Sequence, residues 1–347
     1  MKKIFIIIQL LTIIGLSNQT DYVGSKACST CHMKQYNSFI VSGHPYKLSK
    51  SEDASKRPIP LPEGYLWSDI SYLIGGVYKK ARYMDNKGYI ITAAKDGSDL
   101  KTQYNIEDGS WSFYHKGEHK PYTCGSCHTT GYKPDGHQDG LAGIKGTWAA
   151  EGIQCESCHG AGAEHAKTLN KRKIILDRSA TLCGKCHTRG SSDKIPAKNG
   201  FIRHHEQFNE LLASPHKKMD CVTCHNPHKK SQFSIKTECT TCHTKQSSAF
   251  KGSMMEQVGV TCKDCHMPKA VKSAVSKGKY EGDIRTHIYN INTDAKAKMF
   301  YSKKYNDKKK EFAKNYVTLD FACLNCHKNK SIQWAASKAR EIHSYGK

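Results

Sequence analysis

Beyond Leu16 the sequence has no apolar run long enough to cross a bilayer as a helix, which takes about 20 residues. That excludes a helical integral membrane protein for the body of the chain. The sequence is also short of acid. Its 31 Asp and Glu stand against 54 Lys and Arg, a formal charge of +23. It is short of apolar side chains, at 37% of 347 residues. A chain of this length with so little apolar matter needs another filling for its core. Finally, it has no cysteine to spare: all 16 stand in C-x-x-C pairs, which leaves no unpaired thiol.

What is present begins with Met1-Lys2-Lys3, an apolar run from Ile4 to Leu16, and polar Ser17-Asn18-Gln19-Thr20. A basic start, a short apolar stretch and a polar exit describe a signal peptide over 1–20. Export to the periplasm or to the cell surface is therefore expected. Residues 21–347 are read as a single domain.

The eight pairs are Cys28/Cys31, Cys124/Cys127, Cys155/Cys158, Cys183/Cys186, Cys221/Cys224, Cys239/Cys242, Cys262/Cys265 and Cys323/Cys326. Histidine follows each one: His32, His128, His159, His187, His225, His243, His266 and His327. C-x-x-C-H is the attachment motif of c-type haem. Two thiols add to the two vinyl groups at one porphyrin edge, and the next imidazole lies under the iron as proximal ligand. Disulfide frameworks do not require a histidine after each pair. Zinc sites do not repeat this rigid form eight times. Eight covalently attached haem c groups are the expected cofactors, and they supply the missing core.

Haem also changes the charge balance. Eight haems bring about 16 propionate charges, which lowers the net charge to about +7. The basic excess is then largely a counter-charge, and nucleic acid is not an expected partner.

The motifs are unevenly spread. Residues 45–122 hold none. Pro58, Pro60 and Pro62 open this stretch as an extended linker. Runs such as Tyr72-Leu73-Ile74, Ala81-Arg82-Tyr83-Met84 and Tyr89-Ile90-Ile91-Thr92 follow, with a turn at Asp85-Asn86-Lys87-Gly88. They read as a small β-meander at about 65–115, inserted after the first motif as a cover over haem edges. Residues 123–270 form a dense haem cluster, and 271–347 carry the last motif. The expected fold class is mainly α with much irregular loop, wrapped around stacked haems. Residues 297–316 read as a solvated helix and Ser331 to His343 as a closing helix.

Eleven histidines remain for the second axial position. His44, His115, His165, His205, His216, His228, His287 and His343 are the leading distal candidates, and His119, His137 and His204 the weaker ones. His228 stands too close to His225 to reach the far face of the same haem, so it is expected to ligate a neighbour. His165 after His159 reads the same way. His204 and His205 are adjacent, so at most one is expected to bind. Met254 and Met255 are alternative donors. Histidine on both faces of an iron favours electron transfer over chemistry, so no catalytic residue is assigned.

Several segments resemble the periplasmic multihaem c-type cytochromes. Cys155-Glu156-Ser157-Cys158-His159-Gly160-Ala161-Gly162 with His165 is similar to a haem segment of that group, as is Cys221-Val222-Thr223-Cys224-His225-Asn226-Pro227-His228. Cys262-Lys263-Asp264-Cys265-His266-Met267-Pro268-Lys269 resembles a segment of the pentahaem nitrite reductases, and Tyr22-Val23-Gly24-Ser25 with Cys28 and His44 also fits. The group includes the tetrahaem cytochromes of the hydroxylamine pathway and octahaem reductases. The catalytic C-x-x-C-K site of the nitrite and tetrathionate reductases is absent from this sequence. The resemblance therefore implies a relative that conducts electrons, in anaerobic or extracellular respiration. Its partners would be redox proteins: other cytochromes, a quinol-oxidising module or a terminal reductase. Any membrane association would be peripheral. Two alternatives stand beside this reading. One is a reductase of a nitrogen or sulfur oxyanion with one open haem. The other is a subunit of an extracellular cytochrome filament or outer-membrane conduit, in which the chain would oligomerise.

Overall fold

The computed structural model describes residues 21–305 and 307–343. The expected signal peptide lies outside them. Among the described residues no helix is long and apolar enough to cross a membrane.

The helices are short, and many of them are built on the motifs. Gly125–His128, Cys155–His159, Cys221–Cys224 and Cys262–His266 each amount to about one turn. One turn is what the motif requires, because residues three apart share a helix face and so present both thiols along one edge. The longest helix, Gly24–Phe39, contains the first motif and breaks its helical dihedrals at His32. Local caps hold several of these turns. Thr261 and Asp264 form a reciprocal capping box around Cys262. The Asp220 carboxylate accepts from Ala180 N at 2.8 Å, tying the approach to Cys221 onto the helix of Cys183.

Strands fill the motif-free stretch. β1 (Leu48–Lys50), β2 (Ile70–Gly75), β3 (Lys80–Asp85), β4 (Tyr89–Ile90), β5 (Gln103–Asn105), β6 (Ser110–Ser112) and β7 (Lys120–Pro121) form one seven-stranded sheet. The meander read at 65–115 is thus part of a wider sheet, which also takes in β1 and β7. Alternation along β3 divides its faces. Ala81 and Tyr83 pack with Ala54, Ile70, Leu73 and Ile91. Met84 packs with Leu48, Tyr72, Tyr122, Ile144 and Trp148 on the other side. Full burial of each such large side chain stabilises by roughly 1.5–3 kcal/mol. A small ladder follows between β8 (Thr129–Thr130) and β9 (Ala150–Glu151).

A second sheet comes from the C-terminal half. It contains β10 (Ile195–Lys198), β11 (Phe201–Arg203) and β12 (Val271–Lys272). After the short β13 (Ile291–Asn292) come β14 (Phe300–Tyr305) and β15 (Lys308–Ala313), then β16 (Val317–Thr318), which pairs β13. The larger sheet runs β12-β11-β10-β15-β14, parallel only at the β11/β12 pair. The helix expected over 297–316 is therefore corrected to an antiparallel hairpin, with Phe300 opposite Ala313 and Tyr305 opposite Lys308. Aromatic side chains drive the difference: Tyr301 and Tyr305 both pack on Phe312, at 5.7 and 5.8 Å between ring centroids. Asp307, at φ 59°, supplies left-handed turn geometry. The closing helix is present, as Ile332–Ala339.

The two sheets are joined by charge. Lys79 Nζ lies 2.9 Å from Glu107 Oε2 and donates to the Asp283 carbonyl at 2.6 Å, while Lys277 reaches Glu107 Oε1 at 2.8 Å. Lys80 Nζ donates to the Ser273 carbonyl at 2.8 Å.

Candidate functional site: a histidine-paired array and a cationic pocket

Bis-histidine ligation has a measurable signature. A metal–imidazole bond is about 2 Å long, so two rings on opposite faces of one iron have centroids about 6 Å apart. Five motif histidines meet a second imidazole at that spacing. His32 faces His165 at 6.3 Å, with planes 23° apart. His159 faces His228 at 6.1 Å and 7°. His225 faces His287 at 6.1 Å, His243 faces His216 at 5.8 Å, and His266 faces His343 at 5.9 Å. A sixth, His187, has two candidates, His44 at 6.4 Å and His205 at 6.3 Å.

The outer nitrogens of these rings fit iron ligation as well. An Nδ1 engaged by a carbonyl or side-chain oxygen leaves Nε2 free for the metal. His159 Nδ1 pairs with the Ile175 carbonyl at 2.8 Å and His266 Nδ1 with the Tyr289 carbonyl at 2.9 Å. His225 Nδ1 meets Ser234 Oγ at 3.0 Å, and His187 Nδ1 meets Gln207 Oε1 at 3.2 Å. Burial holds His287 and His44 down at about 4, so both are neutral, as a ligand must be.

The cysteines order the motifs in space. The thiols of Cys28 and Cys155 lie side by side, as do those of Cys127 and Cys186, and of Cys183 and Cys221. Cys158 neighbours Cys183, Cys224 neighbours Cys239 and Cys242, and Cys239 neighbours Cys262. Cys265 neighbours Cys323 and Cys326. The motif of His187 is thus a branch point. Those of His159 and His128 lie on one side of it, and a line through His225, His243 and His266 to His327 on the other.

Burial differs within the first motif, at Cys31. This thiol is exposed, as are His32 and Met33 beside it, whereas Cys28 of the same motif is half-buried against Cys155. The reason lies in the helix that carries the pair. Gly24–Phe39 buries only Ser25 and Phe39, near its two ends, so the turn between Cys28 and Cys31 already leaves the packed surface.

Two motif histidines have no imidazole opposite them. All 19 histidines lie among the described residues, and the nearest ring to His128 is Tyr122, at 6.4 Å. His128 Nδ1 is buried without a hydrogen-bond partner. His327 packs on Trp334 at 4.8 Å.

Around His128 the chain gathers cations. Burial pushes its pKa down to about 3, and the charges of Lys47, Arg82, Arg189 and Lys80 add to that. Strand period 2 places Lys80 and Arg82 on one face of β3. Arg82 is fixed by two hydrogen bonds to Gln103 Oε1, at 2.8 and 2.6 Å, and lies 3.6 Å from the Tyr114 ring centroid. Burial, then the charges of Arg82, Arg189 and Lys47, bring Lys80 down to about 7, although Asp283 opposes the shift. Arg189 Nη2 meets His204 Nε2 at 3.2 Å. The turn after β11 presents the adjacent His204 and His205, the latter at φ 73°. Burial raises a nearby carboxyl, Glu206, to about 8, so it does little to neutralise the cluster.

Most of the remaining candidates sit elsewhere. His115 turns to Glu118 at 2.7 Å and meets no motif histidine. His119 stacks on Tyr89 at 3.9 Å, and His137 pairs with the Ile144 carbonyl at 2.6 Å. Met254 lies exposed on a short helix. Sequence reasoning missed Lys47, Lys80, Arg82 and Arg189. The alternation Lys80-Ala81-Arg82-Tyr83-Met84 was a usable signal for two of them.

Comparison with known proteins agrees with this geometry. The profile of outer membrane cytochrome MtrC/MtrF-like domains II/IV matches residues 235–345, that of cytochrome c554 and c-prime matches 91–160, and that of cytochrome c3 matches 147–244. The multihaem cytochrome MtrA of Shewanella baltica is 29% identical over 174 residues, 44% of this chain and 48% of its own. The dissimilatory sulfite reductase MccA of Wolinella succinogenes is 23% identical over 238 residues, 50% of this chain and 33% of its own. The chain thus spans half or less of the curated relatives it matches. In fold it is similar to the outer cell wall cytochrome OcwA, with a TM-score of 0.63, 21% identity, and coverage of 91% of this chain and 86% of that one. The octahaem MccA structure gives 0.64 at 18% identity, covering 87% of this chain and 65% of that one. The C-x-x-C-H motifs, the facing imidazoles and these matches together place the chain in the multihaem c-type cytochrome superfamily.

Proposed function

We propose that this cytochrome is an electron conduit of eight covalently bound haems. The observation that carries the reading is the closeness of successive motifs, from Cys28/Cys155 through Cys183/Cys221 to Cys265/Cys323. Motifs this close bring their haem edges together, and the protein sets potentials through ligation and burial. His165, His228, His287, His216 and His343 are the distal ligands in this reading, with His44 or His205 opposite His187. The protein is exported and works at the periplasmic or outer surface of the cell. It exchanges electrons with other cytochromes or a quinol-oxidising module. A reductive titration tests the reading: eight electrons per chain are expected, with an intact mass carrying eight haems. Fewer of either would end it.

One observation favours a second activity on the same array. His128, which would hold the iron there, has no imidazole opposite it, and the charges of Lys47, Lys80, Arg82 and Arg189 act on it. Cations aimed at an open iron suit a small oxyanion of nitrogen or sulfur. Haem supplies the electrons and the coordination position there. Lys80 and Arg82 orient the anion and hold its charge, and the motif of His187 connects the site to the conduit. Sulfite or nitrite reduction by the pre-reduced protein, followed at saturating donor, tests this activity; no turnover with either would overturn it.

A further inference from the structure

We propose that the iron served by His327 is a second open iron, at a solvent-exposed end of the array, and that it accepts small diffusible donors, neutral as well as anionic. The inference rests on the eight-haem reading and is separate from the site at His128.

The supply of imidazoles carries it. His165, His228, His287, His216 and His343 face other motif histidines. His44 and His205 both face His187. His115, His119, His137 and His204 lie beside Glu118, Tyr89, the Ile144 carbonyl and Arg189, and none of them faces His327. Among the described residues no imidazole faces His327, whose ring neighbour is Trp334. The local chain path explains why. The last motif is followed by the helix Ile332–Ala339, which carries the chain on to His343. That ring is set 5.9 Å from His266, on the motif next to this one. One imidazole cannot serve two irons, so the neighbour takes the donor that this end of the chain provides.

The surroundings define the ligand. Trp334 packs on His327 at 4.8 Å, with Lys330 Nζ 5.9 Å from the indole centroid. Cys326 and the stretch from Lys328 to Ser331 are exposed. Nothing here matches the half-buried cations around His128, so charge does not select the ligand. A site open to solvent admits a small donor such as imidazole.

The test removes this haem alone. Holo-protein carrying Cys323→Ala with Cys326→Ala is compared with the unaltered chain by intact mass and by low-temperature EPR of the oxidised state. The expected result is one haem fewer and a high-spin signal smaller by one haem per chain. The unaltered protein also binds one more equivalent of imidazole than the variant. A variant that loses one haem while its high-spin signal is unchanged overturns the inference. An unaltered chain with fewer than eight haems instead overturns the eight-haem reading. Should the variant fail to accumulate, Cys124→Ala with Cys127→Ala decides, because it removes the haem at His128: one remaining high-spin haem per chain supports the inference, and none refutes it.

Discussion

His159 and His228 face each other with ring planes 7° apart and centroids 6.1 Å apart. They are 69 positions apart in the chain, and His228 follows a motif of its own at only three residues. In the proposed ligation an iron between the two rings, held by the motif of His159, would lock the motif of His225 to it. Replacing His228 by Met keeps that iron six-coordinate but exchanges an imidazole for a thioether. One haem of the eight then titrates at higher potential, by on the order of 0.1 V, because axial ligands move haem potentials over roughly 0.8 V. A spectroelectrochemical titration reads the shift, and an unchanged set of potentials would remove His228 from the ligand list.

Arg82 offers a test of the cationic pocket. Its guanidinium is held by Gln103 and lies over Tyr114. In the Arg82→Gln variant, kcat/KM for the oxyanion should fall by about 10²-fold, as when a charge-stabilising donor is lost elsewhere. Reduction of all eight haems by an external donor should be unchanged. Equal losses in both measurements would mean that Arg82 supports folding rather than the anion.

Gly152 tests the packing behind His44. It sits at φ 69°, and a Cβ there would meet the Pro45 carbonyl oxygen at 1.8 Å. Ile153 N donates to the His44 carbonyl at 2.9 Å, so any displacement is passed to that histidine. Gly152→Ala should lower stability by roughly 3 kcal/mol, from backbone strain and overpacking together. Thermal melts of the holo-protein measure it, and a neutral result would contradict the close approach of these two segments.

Glu107 joins the two sheets and gives a pH dependence. Its hydrogen bonds to Lys277 and Lys79 hold its pKa at about 2, below the ordinary 4.5. A depressed carboxylate contributes stability above its unfolded pKa and loses it as pH falls through the folded value. The contribution is thus full above about pH 4.5 and gone near pH 2. Glu107→Gln should cost about 1 kcal/mol at pH 7, since the side chain is 23% exposed and screening is partial. The difference between variant and parent should vanish as the pH falls below about 2 in acid-unfolding curves; a difference that persists well below that pH would assign the loss to packing.

The parts of this protein that were legible in the sequence are those set by local spacing. A C-x-x-C-H segment carries its thioether and proximal positions within five residues, so all eight could be placed without a fold. Spacing says nothing of burial, however, and the exposure of Cys31 follows from how little of its helix the rest of the chain covers. The Tyr- and Ile-rich runs between 65 and 115 announced strands through alternation. The distal partners were not readable in this way. His287 meets His225 across 62 positions, and only the path through β12 and its flanking loops brings it there. His115 was a leading candidate because imidazoles were counted, and counting cannot see that Glu118 holds it. The hairpin of β14 and β15 was misread because its lysines mask a two-residue alternation that becomes evident once Phe312 is seen against Tyr301 and Tyr305. Lys47, Lys80, Arg82 and Arg189 come from four separate positions, and only the first sheet's approach to the motif of His128 gathers them.

The central claim is an array of eight haems in which six irons carry histidine on both faces and two, at His128 and His327, carry it on one. Quantitative low-temperature EPR of the oxidised holo-protein measures this most directly. Six low-spin and two high-spin haems per chain are expected. Eight low-spin haems would contradict the account.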